Sequence, residues 1–361
     1  MLLFMACSSS PEKAQNRLKA NADFPNWAVD SIAQYAARFP DDTELAIAHM
    51  SQNKVAFYGI KRTNGELVNT QNHQSIFQLG SLTKVLTGHL FLNKVNQQDF
   101  PVDTAISAFL PFPVKKEASN ITLRQLVNHT SGLPKFAKEQ GIWQHLTNAN
   151  PYTDYRRTDL PDFMAHQVAI ESVPGHRYAY SPMGYALLAE IMEITQNKPF
   201  EQIFYSSLVE KYQLENTGLI DQSSPSEIMP PRDKNGKITD AWTYGDLQAA
   251  AGAYSNVQDL SKWLKNWWQN EELQALIQKD AFRINDHFQS GLSWHLMSES
   301  RTDASPLFWH NGSTKGFTNS MAFEPKQQHG IIILANLSGK SPKSAAIDYL
   351  CTGLVRGFLS E

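Results

Sequence analysis

Cysteine is nearly absent: the chain has two, Cys7 and Cys351, and no Cys/His cluster has zinc-ligand spacing, which argues against a metal enzyme. No uninterrupted apolar run reaches the length of a membrane span. Charge of one sign is lacking too: a formal net charge of -3 with both signs interspersed leaves no basic stripe, which argues against nucleic acid as the main partner. The HExxH helix, the GxSxG elbow and the GxxxxGK[ST] phosphate loop are all missing, which removes three large enzyme classes. The rest is ordinary: 361 residues, 42% hydrophobic and 19% charged, enough for a sizeable core in two packed regions.

The stretch around which the chain is organised is Phe77-Gln78-Leu79-Gly80-Ser81-Leu82-Thr83-Lys84, followed by the apolar run Val85, Leu86, Leu90, Phe91, Leu92. If Ser81 opens a helix, its hydroxyl and the Lys84 amine lie one turn apart on the same face. A serine hydroxyl needs a nearby base, and a lysine serves as one only when burial or a neighbouring cation pulls its pKa down. The competing reading, a capping serine beside a solvated lysine, is common at this spacing.

Along the chain, Pro11 to Ala22 reads as a polar tether, and Trp27 to Phe39 has helical spacing. Residues 44–50 and 54–60 read as a hairpin, and 63–66 as a turn leading into a loop. Thr122 is placed to cap a short helix carrying Leu123, Leu126 and Val127. His129 follows, where a histidine more often bonds the last helix carbonyls than does chemistry. Pro174-Gly175 makes a turn, Tyr180 sits at a polar tip, and a buried helix starts near Met183. Ser255 or Asn256 caps a helix over Ser261 to Trp268. Residues 288–297, 306–310, 319–324 and 330–336 read as strands, and a helix over 344–359 closes the chain. The expected fold is therefore α/β (α+β): a sheet region over about 23–80 and 250–361, with a mainly helical lobe over about 81–249 inserted between.

Three stretches, Ser81-Leu82-Thr83-Lys84, Tyr180-Ser181-Pro182 and His310-Asn311-Gly312, resemble in order and separation the active-site motifs of the penicillin-recognising serine hydrolases. The branch is that of class C β-lactamases, D-Ala-D-Ala carboxypeptidases, D-aminopeptidases and related esterases, and the likeness runs from about Trp27 to the C-terminus. The resemblance implies a β-lactamase/transpeptidase-like fold, with an antiparallel sheet flanked by helices, and no cofactor. It also implies an acyl-enzyme on Ser81, proton transfer by Lys84 and Tyr180 with either as base, and an oxyanion hole from the N–H groups of Ser81 and Ser313. His310, Asn311 and Gly312 would form a substrate wall, with His310 donating a hydrogen bond or carrying charge near a carboxylate.

Two departures bear on substrate. Pro182 stands where many relatives have an asparagine whose amide holds a substrate carbonyl or the lysine, and His310 stands where class C β-lactamases have lysine. Both make a peptidase or esterase using the same acyl-enzyme chemistry the expectation over an efficient β-lactamase, and the reading is a D-Ala-D-Ala carboxypeptidase or related D-amino-acid peptidase with at most weak β-lactamase activity. A carboxylesterase and a catalytically silent penicillin-binding-type protein are the alternatives. The loops over 136–162 and 222–244 are expected to border the cleft. The start, Met1 to Ser10, looks like the end of a bacterial lipoprotein leader. Lipid on Cys7 would anchor the body to a membrane in the periplasm or cell envelope, leaving Cys351 a lone buried thiol.

Overall fold

The structure is a computed structural model that describes residues 13–52, 54–97, 99–135, 156–220, 227–298 and 305–361. Cys7, the proposed leader and most of the 136–162 loop lie outside these residues. Among the described residues a ten-stranded sheet forms the scaffold. Its main strands are β1 (Glu44–Ser51), β2 (Lys54–Thr63), β3 (Glu66–Thr70), β4 (Phe288–Gly291), β5 (Trp294–Met297), β6 (Leu307–Ser313), β7 (Thr318–Glu324) and β8 (His329–Ala335). They lie in the order β3-β2-β1-β8-β7-β6-β5-β4, all antiparallel, so strands from the two ends of the chain meet where β8 pairs with β1.

The principal helices are α1 (Asn26–Ala36), α2 (Thr83–Asn96), α3 (Leu123–Val127), α4 (Pro182–Gln196), α5 (Gln248–Ala251), α6 (Val257–Trp267) and α7 (Ala345–Leu359). Helices α1 and α7 cover one face of the sheet, with Ile32, Leu350 and Leu354 meeting Ile47, Ile331 and Ile333. The other face carries the helical lobe and α6, where Trp263 and Trp267 pack on Trp294 and Phe308. Strand β8 is covered on both sides, so it reads as a continuous apolar run rather than an alternation.

Several boundaries moved. Strand β3 was expected as loop, because only Leu67 of Glu66–Thr70 is buried and the run has little apolar signal. Part of the expected tether is an edge strand: Gln15–Asn16 pairs parallel to β3, with Gln15 N donating to Gly65 O at 2.8 Å. Residues 288–297 divide into β4 and β5 at Leu292 and Ser293, whose φ values of 38° and 83° make the turn. Helix α6 starts four residues earlier than its apolar pattern suggested, because Asn256 caps it by accepting from Asp259 N at 2.8 Å. Cys351 is a buried free thiol on α7.

Candidate active site

The Ser81 turn is held by a second, three-stranded sheet separate from the scaffold. Residues Phe77–Gln78 pair with Ala253–Ser255, and a short 3-10 turn over Gly80–Leu82 runs directly into α2. Gly80 has φ +56°, a left-handed conformation that favours glycine. A Cβ there would lie 2.9 Å from Ser313 N, and a Cβ on Gly312 would lie 2.0 Å from Leu79 O and 3.0 Å from Ser81 N. The two glycines thus let the end of β6 close on the start of α2, with the backbone of Ser313 against Gly80 and that of Gly312 against Leu79 and Ser81 across a narrow gap. Gly312→Ala is expected to spread this gap and lower the acylation rate about 100-fold, the scale of losing one oxyanion donor, with little change in KM. Steady-state kinetics on one substrate read the split.

Ser81 makes no side-chain cap bond, so the capping reading does not apply. Its Oγ receives a hydrogen bond from Tyr180 Oη at 2.7 Å and from Lys84 Nζ at 3.5 Å. Lys84 is fully buried, donates to Ala250 O at 2.6 Å, and has no carboxylate partner among the ion pairs of the described residues. Burial, with help from the Lys135 charge, lowers its pKa to about 7, so near neutrality a free amine sits beside the serine.

Strand β6 places its wall residues on alternate faces. His310 faces the lobe and is 2% exposed, with Nδ1 2.6 Å from Asn311 O. A carbonyl only accepts, so Nδ1 carries the proton and Nε2 presents a lone pair. Burial, together with His295 and Lys84, holds the ring neutral, so the expected charge near a carboxylate is absent and His310 is an acceptor. Asn311 does not belong to the wall. It points to the opposite face, where Nδ2 donates to Asp348 Oδ2 on α7 at 2.8 Å. Period-two alternation puts neighbours on one strand on opposite sides, so His310 and Asn311 cannot both line the cleft.

His129 differs from both readings of it. It has φ +56° beyond α3, and its Nδ1 accepts from Ser181 N at 3.1 Å rather than bonding helix carbonyls. The ring centroid lies 4.4 Å from that of Tyr180, and burial keeps it neutral. It therefore supports the tyrosine. Ser181 Oγ donates to Pro134 O at 2.8 Å, and Pro182 takes the first position of α4, where a missing N–H costs nothing.

The sequence pattern did not single out Asn319, Tyr178 or His295. Asn319 is completely buried on β7; its Nδ2 donates to Gln78 O at 2.8 Å and Leu79 O at 3.2 Å, and its Oδ1 accepts from Ala335 N. A lone amide inside the buried run Thr318–Glu324 was the available signal. Asn319→Ala is expected to cost about 3 kcal/mol in urea unfolding, because two buried carbonyls and an N–H lose their partner. Tyr178 Oη lies 3.0 Å from His295 Nε2, and the His295 ring lies 5.3 Å from that of His310. Burial lowers His295 to about 4, so it is neutral. In the described part of the 222–244 loop, Arg232 N donates to Gly316 O at 3.3 Å, which sets the loop beside the end of β6.

The chain is similar to known proteins in sequence and in fold. Protein flp of Staphylococcus aureus (strain MW2) is 23% identical over 297 residues, 77% of this chain and 56% of its own length, so the chain spans little more than half of that relative. The D-alanyl-D-alanine-carboxypeptidase/endopeptidase AmpH of Escherichia coli (strain K12) is 21% identical over 341 residues, covering 87% of this chain and 85% of the relative. The crystal structure of a class C β-lactamase from Rhodobacter sphaeroides superposes with a TM-score of 0.74 at 16% identity, covering 93% of this chain and 100% of the other, which establishes the β-lactamase/transpeptidase-like fold. The family model described as Beta-lactamase matches residues 38–351, and with most of its length inside that match the chain belongs to the β-lactamase family of serine hydrolases.

Proposed function

We propose that the chain hydrolyses D-amino-acid peptides of the D-Ala-D-Ala type through an acyl-enzyme on Ser81. The observation that carries the reading is the trio at the start of α2: Tyr180 Oη and Lys84 Nζ both on Ser81 Oγ, with the lysine near 7. Neutral Lys84 takes the Ser81 proton as Oγ attacks the carbonyl carbon, and the oxyanion forms between the Ser81 and Ser313 amides. As the C–N bond breaks, Tyr180 Oη, next to Oγ, gives its proton to the leaving amine. A phenolate and a lysine ammonium remain. The phenolate then takes a proton from the water that attacks the ester, and Lys84 returns one to Ser81 Oγ as the acid leaves.

AmpH, by its name, is a D-alanyl-D-alanine carboxypeptidase/endopeptidase, which supports this choice of substrate. Pro182 favours a second reading, a carboxylesterase, since an ester needs no amide to hold it. A D-Ala-D-Ala peptide and a short-chain p-nitrophenyl ester, each assayed against Ser81→Ala, separate the two. Peptide release supports the first reading, and ester turnover alone overturns it. We also place the enzyme in the bacterial envelope, with lipid on Cys7; mass spectrometry of the protein from membranes, comparing Cys7→Ser, tests that placement.

A further inference from the structure

Lys84 needs something to hold it. In many relatives of the resemblance an asparagine two residues after the tyrosine serves, but here that position is Pro182, with no side-chain donor or acceptor. The Nζ instead lies between two aromatic rings, 4.9 Å from the centroid of Tyr180 and 5.5 Å from that of Tyr185, both within the range of a cation–π contact. Tyr185 is one helical turn beyond Pro182, so the α4 face that lacks an amide presents this ring next. The ring is fixed from behind. It is completely buried, Oη donates to Val127 O at 3.2 Å at the end of α3, and the His129 ring packs 5.3 Å away. Burial also keeps the phenol protonated, so Tyr185 does not compete with Tyr180 for the proton.

We propose that Tyr185 is a positioning residue for Lys84: its ring face, with the Ala250 carbonyl, holds Nζ beside Ser81 Oγ in place of the amide that Pro182 lacks. The inference rests on the acyl-enzyme reading and adds a role that sequence motifs do not reveal. An aromatic face attracts the ammonium and not the free amine, so Tyr185 sets the pH at which Lys84 loses its proton as well as where it sits. A weaker ring face lets the proton go at lower pH.

The test is the pH dependence of Ser81 phosphonylation by a fluorophosphonate, in which Oγ bonds phosphorus and fluoride leaves, in the full chain. Tyr185→Phe keeps the ring and is expected to leave the lysine-dependent limb within about 0.3 unit of wild type. Phenylalanine with one, two and then three ring fluorines at position 185 preserves shape while draining the ring face. The limb is expected to move stepwise to lower pH, by about one unit in all. Tyr185→Leu is expected to move it the same way, with thermal denaturation confirming that it folds. If the fluorinated series superposes on the Tyr185→Phe profile while adducts form normally, the ring only fills space and the proposal is overturned. If wild type forms no Ser81 adduct, the acyl-enzyme reading falls first and takes this inference with it.

Discussion

Ser81→Ala is expected to lower hydrolysis of both the peptide and the ester on the order of 10⁶-fold, and to abolish the adduct with a fluorophosphonate or a β-lactam. The loss is large because the other groups act only through Oγ. Tyr180 and Lys84 both bond to it, and in the proposed mechanism the Ser81 and Ser313 amides meet a charge that appears only after it attacks. The fold is not expected to suffer, since the hydroxyl makes no cap bond and the turn is held by strand pairing. Intact-mass measurement after reagent exposure gives the outcome. A wild-type protein that takes no adduct from either reagent would be a silent penicillin-binding-type protein, and the enzymatic readings would fall together.

Lys84→Met is expected to reduce acylation about 10³-fold, the scale of losing a positioned general base, and to alter stability in a pH-dependent way. The side chain is fully buried with a pKa of about 7, against 10.5 for an ordinary lysine. Below 7 both folded and unfolded chains carry the proton. Between the two values the unfolded chain holds one more proton than the folded one, so stability rises with pH across that window and falls as pH drops back through it. Methionine does not titrate. The wild-type minus Lys84→Met difference in unfolding free energy is therefore expected to grow from pH 7 to 10.5, by on the order of 5 kcal/mol. Urea unfolding at pH 6.5, 8.5 and 10 measures it, and a flat difference would mean that the buried lysine titrates like a solvated one. The acylation rate should rise through pH 7 as the free amine appears.

Much of the scaffold was legible from local pattern. Helical spacing marked α1 and the run after Ser81, and the N-cap expected of Thr122 is realised, its side chain accepting from Gln125 N. Strands β1, β2, β7 and β8 stood out as apolar runs. What failed locally carries its signal elsewhere. Residues Gln15–Asn16, at the sheet edge, and β3 beside them are polar segments whose backbone partners, not side chains, make them strands.

The amino-acid sequence alone determined that a serine and a lysine sit one turn apart at a helix start, that Tyr180 precedes a buried helix, and that a glycine lies two residues after His310 on a strand. Those are matters of spacing within one element. Only the tertiary structure decided that His310 faces the helical lobe while Asn311 bonds Asp348, because alternation sets two faces but not which one meets the lobe. It also decided that His129 braces Tyr180, that Asn319 ties the strand before Ser81, and that Lys84 lies against Ala250 and Tyr185 in a site dry enough to strip its proton near pH 7. Desolvation and contact across elements distant in the chain are properties of packing, and no residue carries them by itself.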